Sequence, residues 1–294
     1  MTEIAQKKKG IPGWLKLSAK ILVTALCFWY ISGKINFESA KNAFLEANWW
    51  WLGLALGLLT LSKLFSSFRL NIYFRNIGLS LSEALNLRLY WLGMFYNLFL
   101  PGAISGDAYK VILLNRHYQT SYKKASAAVL LDRFSGLLAL GLILALYGWV
   151  ILPPSYLPYL LLAGAVGAVG VLYWVTRRFF PEFTPGFWPT FVWGLAVQGV
   201  QVICIYTIME ALGIPAAQHE WIFIFLAAAV ISVLPLSLGG GLGTREFVFV
   251  EGARFFHLSE ETGLVISLLF YLISVIASLP GLYYVFREPL GRRQ

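Results

Sequence analysis

Two broken apolar stretches and one isolated pair hold most of the residues in this chain that could do chemistry away from bulk water. The first stretch reads Asn97-Leu98-Phe99-Leu100-Pro101-Gly102 and continues to Gly106, Asp107 and Lys110. The second runs from Leu234-Pro235 through Gly239, Gly241 and Gly243 to Thr244-Arg245-Glu246. The pair is Asp132-Arg133, set in Val129-Leu130-Leu131-Asp132-Arg133-Phe134. Charge in apolar surroundings is costly, so such residues face a protein interior or a wet cavity and pair with one another. Arginine presents a planar fork that matches phosphate oxygens. The expected chemistry is therefore binding of a phosphate group by Arg133 and Arg245, with Lys110 as a third cation. Asp107, Asp132 and Glu246 would serve as counter-ions. The competing reading is structural: adjacent acid–base pairs lock helices together, or sit at headgroup level.

Other chemistries lack their residues. There is no GxxxxGK[ST] loop for ATP and no HExxH. His117, His219 and His257 stand alone, and no CxxC pair suggests a metal. The run Gly239–Gly243 is glycine-rich, but no strand precedes it, so a dinucleotide site is not expected. Cys27 and Cys204 lie in apolar runs and read as buried free thiols. The expectation is no catalytic residue, no metal and no cofactor, hence no enzyme.

The elements that must position these residues follow from composition. The 294 residues are 59% hydrophobic and only 13% charged, against about 25% charged in ordinary soluble domains. The apolar runs are long and continuous, which is the signature of spanning helices rather than of barrel strands. Six full spans are expected, at Trp14–Gly33, Trp49–Phe68, Val129–Leu152, Leu157–Thr176, Phe187–Leu212 and Thr262–Phe286. Each is close to the ~20 residues a helix needs to cross a bilayer. Trp49, Trp50 and Trp51, Tyr156 and Tyr159, and Phe187 and Trp188 flank these spans as interfacial aromatics. Lys63 reads as a side chain that snorkels to the interface.

Ser82–Lys124 and Trp221–Phe256 remain. Each is an apolar helix interrupted by Leu-Pro and glycine, with a polar residue placed to start a new helix. Both are expected to be re-entrant hairpins, with Asn97 satisfying freed backbone groups. The alternative is two ordinary spans that proline and glycine merely kink. Charge favours hairpins. With both re-entrant, 18 of the 23 Lys and Arg residues fall on one side, the side of the N- and C-termini. That is the bias of cytoplasmic loops. It also accounts for the net charge of +9 without invoking nucleic acid.

The same topology gives each half the order span, span, hairpin, span, with the halves starting on opposite sides. The chain is thus expected to be a single transmembrane domain over residues 1–294. It would be an all-α integral membrane protein with six full helices and two re-entrant hairpins, arranged as an inverted-topology repeat of halves 1–152 and 153–294. Matched broken helices in inverted halves point to a transport site near the bilayer midplane. Both helices restarted after the breaks, near Asp107 and Thr244, would then aim their N-termini at an anion.

The motif set Asn97 to Gly102 with Gly106-Asp107, then Leu131-Asp132-Arg133, then Leu234-Pro235 through Gly241-Leu242-Gly243-Thr244-Arg245-Glu246 resembles the lysylphosphatidylglycerol synthase transmembrane-region family, also called the flippase-like domain family. Its pattern is similar to N-x-F-L-P-G-x-x-x-G-D, L-D-R and G-x-G-x-R-E. Thr244 departs from it, since a small apolar residue often stands before that Arg. The family includes the membrane half of the multiple peptide resistance factor. The resemblance implies movement of phospholipid between leaflets, and other relatives are associated with polyprenyl-linked sugar or hopanoid pathways. The sequence given holds no aminoacyl-transfer domain. The expected function is ATP-independent flipping of a phospholipid or lipid-linked phosphate headgroup in the cytoplasmic membrane of a prokaryote. The alternatives are a membrane enzyme acting on a lipid-linked substrate, or a non-transporting partner of a lipid synthase. Membrane lipids with phosphate-bearing headgroups are the expected partners, with a lipid-synthesising enzyme as a further one.

Overall fold

The computed structural model describes residues 37–99, 105–233 and 241–290, together with the helical positions Ser18, Leu22 and Trp29. The expected first span, Trp14–Gly33, with Cys27, falls largely outside the described residues. So do Pro101, Gly102, Pro235 and Gly239 of the two breaks. Among the described residues the chain is helical: α1 (Phe37–Glu46), α2 (Trp49–Asn76), α3 (Glu83–Phe99), α4 (Ser105–Tyr118), α5 (Tyr122–Ile151), α6 (Tyr156–Phe179), α7 (Phe187–Ala211), α8 (Glu220–Val233), α9 (Thr244–Phe255), α10 (Glu260–Ser278) and α11 (Pro280–Phe286).

Among the described residues, five segments are long and apolar enough to cross a membrane: α2, α5, α6, α7 with the 3-10 turn Pro181–Gly186 before it, and α10 with α11. They correspond to the five expected spans that lie in the described region. Local chemistry sets their ends. Asn48 caps α2, its side chain accepting from the Trp50 amide at 3.0 Å. Gly78, with φ of 78°, takes the left-handed conformation just beyond the helix end. The pair Pro153-Pro154 follows α5, and Ser155 caps α6 through the Leu157 amide. Two helices outrun their expected spans: α2 continues to Asn76 rather than Phe68, and α5 begins at Tyr122 rather than Val129. Lys123 and Lys124 extend the helix because Lys is a good helix former.

Five described helices remain: the 10-residue α1, and four that form two pairs, α3 with α4 and α8 with α9. The paired four have 17, 14, 14 and 12 residues. At 1.5 Å per residue, none reaches the ~30 Å of a hydrocarbon core. The two members of each pair pack against one another. In the first pair the contact is backbone to backbone: a Cβ on Gly106 would collide with the Gly93 carbonyl. In the second, a Cβ on Gly252 would press into Ile224 at 2.8 Å.

The apolar core has two parts, at opposite ends of α2. One joins Leu52, Ala55 and Leu59 of α2 to α7, α8, α9 and α10. The other joins Leu70, Tyr73 and Phe74 of α2 to α3, α4 and the start of α5. Between them α2 turns polar, through Ser62, Lys63, Ser66, Ser67 and Arg69. Each helix pair is thus anchored in its own apolar cluster, and the polar step of α2 lies between the two. α7 is the most extensive partner of α2, while α6 is peripheral, with only Pro158 and Thr176 buried.

Candidate functional site

The polar step of α2 opens onto two adjoining cavities. The first, about 360 Å³, lies against α2, α3, α4, α5 and α8 and is lined by Arg69, Asp107, Lys110, Asp132 and Arg133 among others. The second, about 260 Å³, lies against α2, α3, α7, α8, α9 and α10 and contains Arg245 with Gln201, Tyr271 and Ser274. Lys63, Met94, Leu98, Ala229 and Ser232 line both. Both helix pairs therefore wall the same polar space.

Asp107 is the hub of the first cavity. One carboxylate oxygen accepts from Lys110 Nζ at 3.0 Å, and the other accepts from Arg133 Nε. The spacing of Asp107 and Lys110 is one helical turn, so α4 brings them together locally. Lys110 also lies 4.5 Å over the Tyr90 ring. Its stem crosses Gly93 where a Cβ would clash with Cε, so glycine there admits both the lysine and the close approach of α4. Asp107 and Lys110 are buried, whereas the Arg133 side chain is 28% exposed.

Asp132 faces the other way. It receives a two-pronged contact from Arg69, Nε to Oδ1 at 2.7 Å and Nη2 to Oδ2 at 3.1 Å. Consecutive helical residues point about 100° apart, so Asp132 and Arg133 serve different neighbours rather than each other. The Arg69 guanidinium rests on Gly136, where a Cβ would stand 2.7 Å from Nη1.

The second cavity has a different electrostatic character. Its described lining holds two cations, Lys63 and Arg245, and no carboxylate. Arg245 is buried, and its Nε and Nη2 make no hydrogen bond among the described residues. Glu246 Oε1 is 3.8 Å from Arg245 Nε, beyond hydrogen-bond range. The guanidinium instead lies 5.2 Å from the Phe270 ring and 5.6 Å from Tyr271. Glu246 is wholly buried and occupied. Oε2 accepts from the Gly243 amide at 2.6 Å, and Oε1 accepts from the Ser267 hydroxyl at 2.9 Å.

Gly241 and Gly243 have φ of 97° and 85°, conformations that L side chains rarely adopt. The glycine run is thus a backbone device that turns the chain into α9. Thr244 finds a partner for its hydroxyl in the Gly241 carbonyl at 3.0 Å.

The structure therefore divides the six expected binding residues. It gathers Asp107, Lys110, Asp132 and Arg133 around one cavity, sets Arg245 in the adjoining one, and places Glu246 behind Arg245. The helix starts differ from the expectation that they aim free amides at an anion. Asn97 of α3 accepts from the Gly106 amide at 2.8 Å, and Glu246 accepts from that of Gly243, so the start of α4 is partly satisfied by α3 and the start of α9 by its own side chain. Two further cations join the site. Arg69 falls just past the expected span end at Phe68, and its place less than two turns beyond Lys63, after three serines, marks a polar face. Lys63, read as snorkelling to the interface, instead lines both cavities. Among the described residues no group of three or more His, Cys, Asp or Glu side chains is arranged to hold a metal ion.

Comparison with protein families bears on this geometry. The sequence fits the family described as Lysylphosphatidylglycerol synthase TM region, over residues 17–186 and 181–281. The chain belongs to that family. It is accordingly an integral membrane protein tied to lipid modification or translocation. No curated protein matches it.

Proposed function

We propose that this chain moves a phosphate-bearing lipid headgroup across the bilayer without ATP, and that it is a transporter rather than an enzyme. The observation that carries the reading is the pair of adjoining polar cavities walled by both short helix pairs and rich in buried cations. A headgroup would enter this space while its acyl chains stay in lipid. Arg133 and Arg245 would hold the phosphate, and the Asp107 triad would set the position of Arg133.

In this reading α3–α4 and α8–α9 are re-entrant hairpins entering from opposite faces, and halves 1–152 and 153–294 form an inverted repeat. The termini are cytoplasmic and the membrane is the cytoplasmic membrane of a prokaryote. Irregular backbone at membrane depth is tolerated where it lines such a cavity, and rocking of one half against the other would alternate access. A lipid-synthesising enzyme that delivers the cargo is the natural partner.

The test is translocation of labelled anionic phospholipids in proteoliposomes holding wild type, Arg133→Ala or Arg245→Ala. Fast translocation lost in both variants, with folding intact, is the expected result. A well-folded wild type that moves no lipid would sink the proposal.

A further inference from the structure

The carboxylates around the two cavities are all spoken for. Both oxygens of Asp107 accept from Lys110 and Arg133. Both oxygens of Asp132 accept from Arg69. Both oxygens of Glu246 accept from Gly243 and Ser267. Among the described residues, each acid around the cavities therefore already has a donor on both oxygens, and none presents a bare carboxylate to a ligand's ammonium group.

The cations are in excess. Lys63, Arg69, Lys110, Arg133 and Arg245 outnumber Asp107, Asp132 and Glu246 by two among the described residues that line or back the cavities. Lys63 has no carboxylate partner among the described residues, and it shares one cavity wall with Arg69 and the other with Arg245. Arg245 keeps two donor nitrogens buried without an acceptor. Unpaired charge in such a place is costly unless a ligand supplies the missing counter-charge.

We infer that the cargo is a lipid ending in a phosphomonoester dianion, seated between Lys63 and Arg245. The inference rests on the transport reading above and names its substrate class. A phosphodiester lipid brings one negative charge and a zwitterionic one brings none net. An aminoacylated phosphatidylglycerol with two ammonium groups would add positive charge where described cations already outnumber carboxylates. A phosphomonoester brings close to two negative charges at neutral pH and three acceptor oxygens, which match the fork of Arg245 and the point charge of Lys63. Lys63 is the one cation shared by both cavities, so it would stay with the phosphate as the group passes from one to the other.

The experiment is a binding competition on the full chain in neutral detergent, read by the shift of its thermal unfolding midpoint. The probes are short-chain phosphatidate, short-chain phosphatidylglycerol, lysylphosphatidylglycerol and inorganic phosphate. Phosphatidate should bind about tenfold or more tighter than phosphatidylglycerol at pH 8, the effect of one further charge within reach of two cations. The preference should shrink as pH falls through about 6, where the monoester dianion takes up a proton and becomes a monoanion. Lys63→Met should abolish the preference, and Lys63→Arg should keep it. Equal binding of phosphatidylglycerol or lysylphosphatidylglycerol, or a preference unchanged in Lys63→Met, would overturn the inference. Inorganic phosphate that competes as well as phosphatidate would overturn the lipid part of it.

The two proposals fail separately. Arginine-dependent translocation of phosphodiester lipids, with no phosphatidate preference in binding, would refute this inference and leave transport standing. Selective phosphatidate binding with no translocation of any lipid would do the reverse.

Discussion

At the scale of single residues the charged side chains do two kinds of work. Arg69 and Asp132 satisfy each other in full, so their pair is structural in character. Asp132→Ala should cost about 3–5 kcal/mol because it strands a buried guanidinium. Replacing both, as Arg69→Met with Asp132→Leu, should recover most of that loss. Thermal or denaturant unfolding in detergent measures both, and equal damage from the single and double changes would refute the pairing argument. Arg245 is the opposite case. Its Nε and Nη2 make no hydrogen bond among the described residues, and the ring contacts it would lose are offset by removing a buried charge, so Arg245→Gln should leave stability within about 1 kcal/mol. A lost charge-assisted contact is worth about 1.5–3 kcal/mol, so translocation in the same variant should fall roughly 10- to 100-fold. Proteoliposome rates set beside unfolding midpoints separate the two effects.

At the scale of elements, glycine lets short helices approach one another. Gly106 lies against the backbone of Gly93, so Gly106→Ala must push α3 and α4 apart. A cost of about 1–3 kcal/mol is expected, as for other overpacked sites. Gly53 of α2 has nothing within 4 Å of where a Cβ would stand. Gly53→Ala should therefore be neutral or stabilising by about 0.5–1 kcal/mol, through the better helix propensity of Ala. Unfolding midpoints of the two variants check this, and a Gly53 variant as unstable as the Gly106 one would undo it. The second arm of each pair also ends alike. Gln119 after α4 and His257 after α9 both take positive φ, at 54° and 57°. Such left-handed residues commonly close helices.

At the scale of the whole molecule the question is which face each pair enters from. In the inverted-repeat reading the loop after α4 is cytoplasmic and the loop before α8 is external. Single cysteines at Gln119 and Gln218, with Cys27 and Cys204 replaced by Ala, should divide accordingly. The Gln218 site should react with an impermeant thiol reagent on intact cells, and the Gln119 site only after permeabilisation. Labelling of both from one side would remove the inverted repeat while leaving the cavities as they are.

The class of the molecule, its five described spans and its family were legible in the amino-acid order, because each rests on signals local in the chain. A span needs only about 20 consecutive apolar residues, and the family match needs motifs in order. The glycines at 241 and 243 and the capping role of Asn97 could be read for the same reason. What the order of residues left open is which charge meets which. Asp132 is adjacent to Arg133 in sequence yet pairs with Arg69, 63 positions away. Arg133 reaches Asp107 on another helix instead. Lys63 looked like a side chain free to reach water, and packing of α2 against the two helix pairs turned it into a shared wall of two cavities. Partnership among buried charges depends on helix rotation and on the distance between helices. Both are set by side-chain packing across the bundle, and so they exist only once the chain has folded.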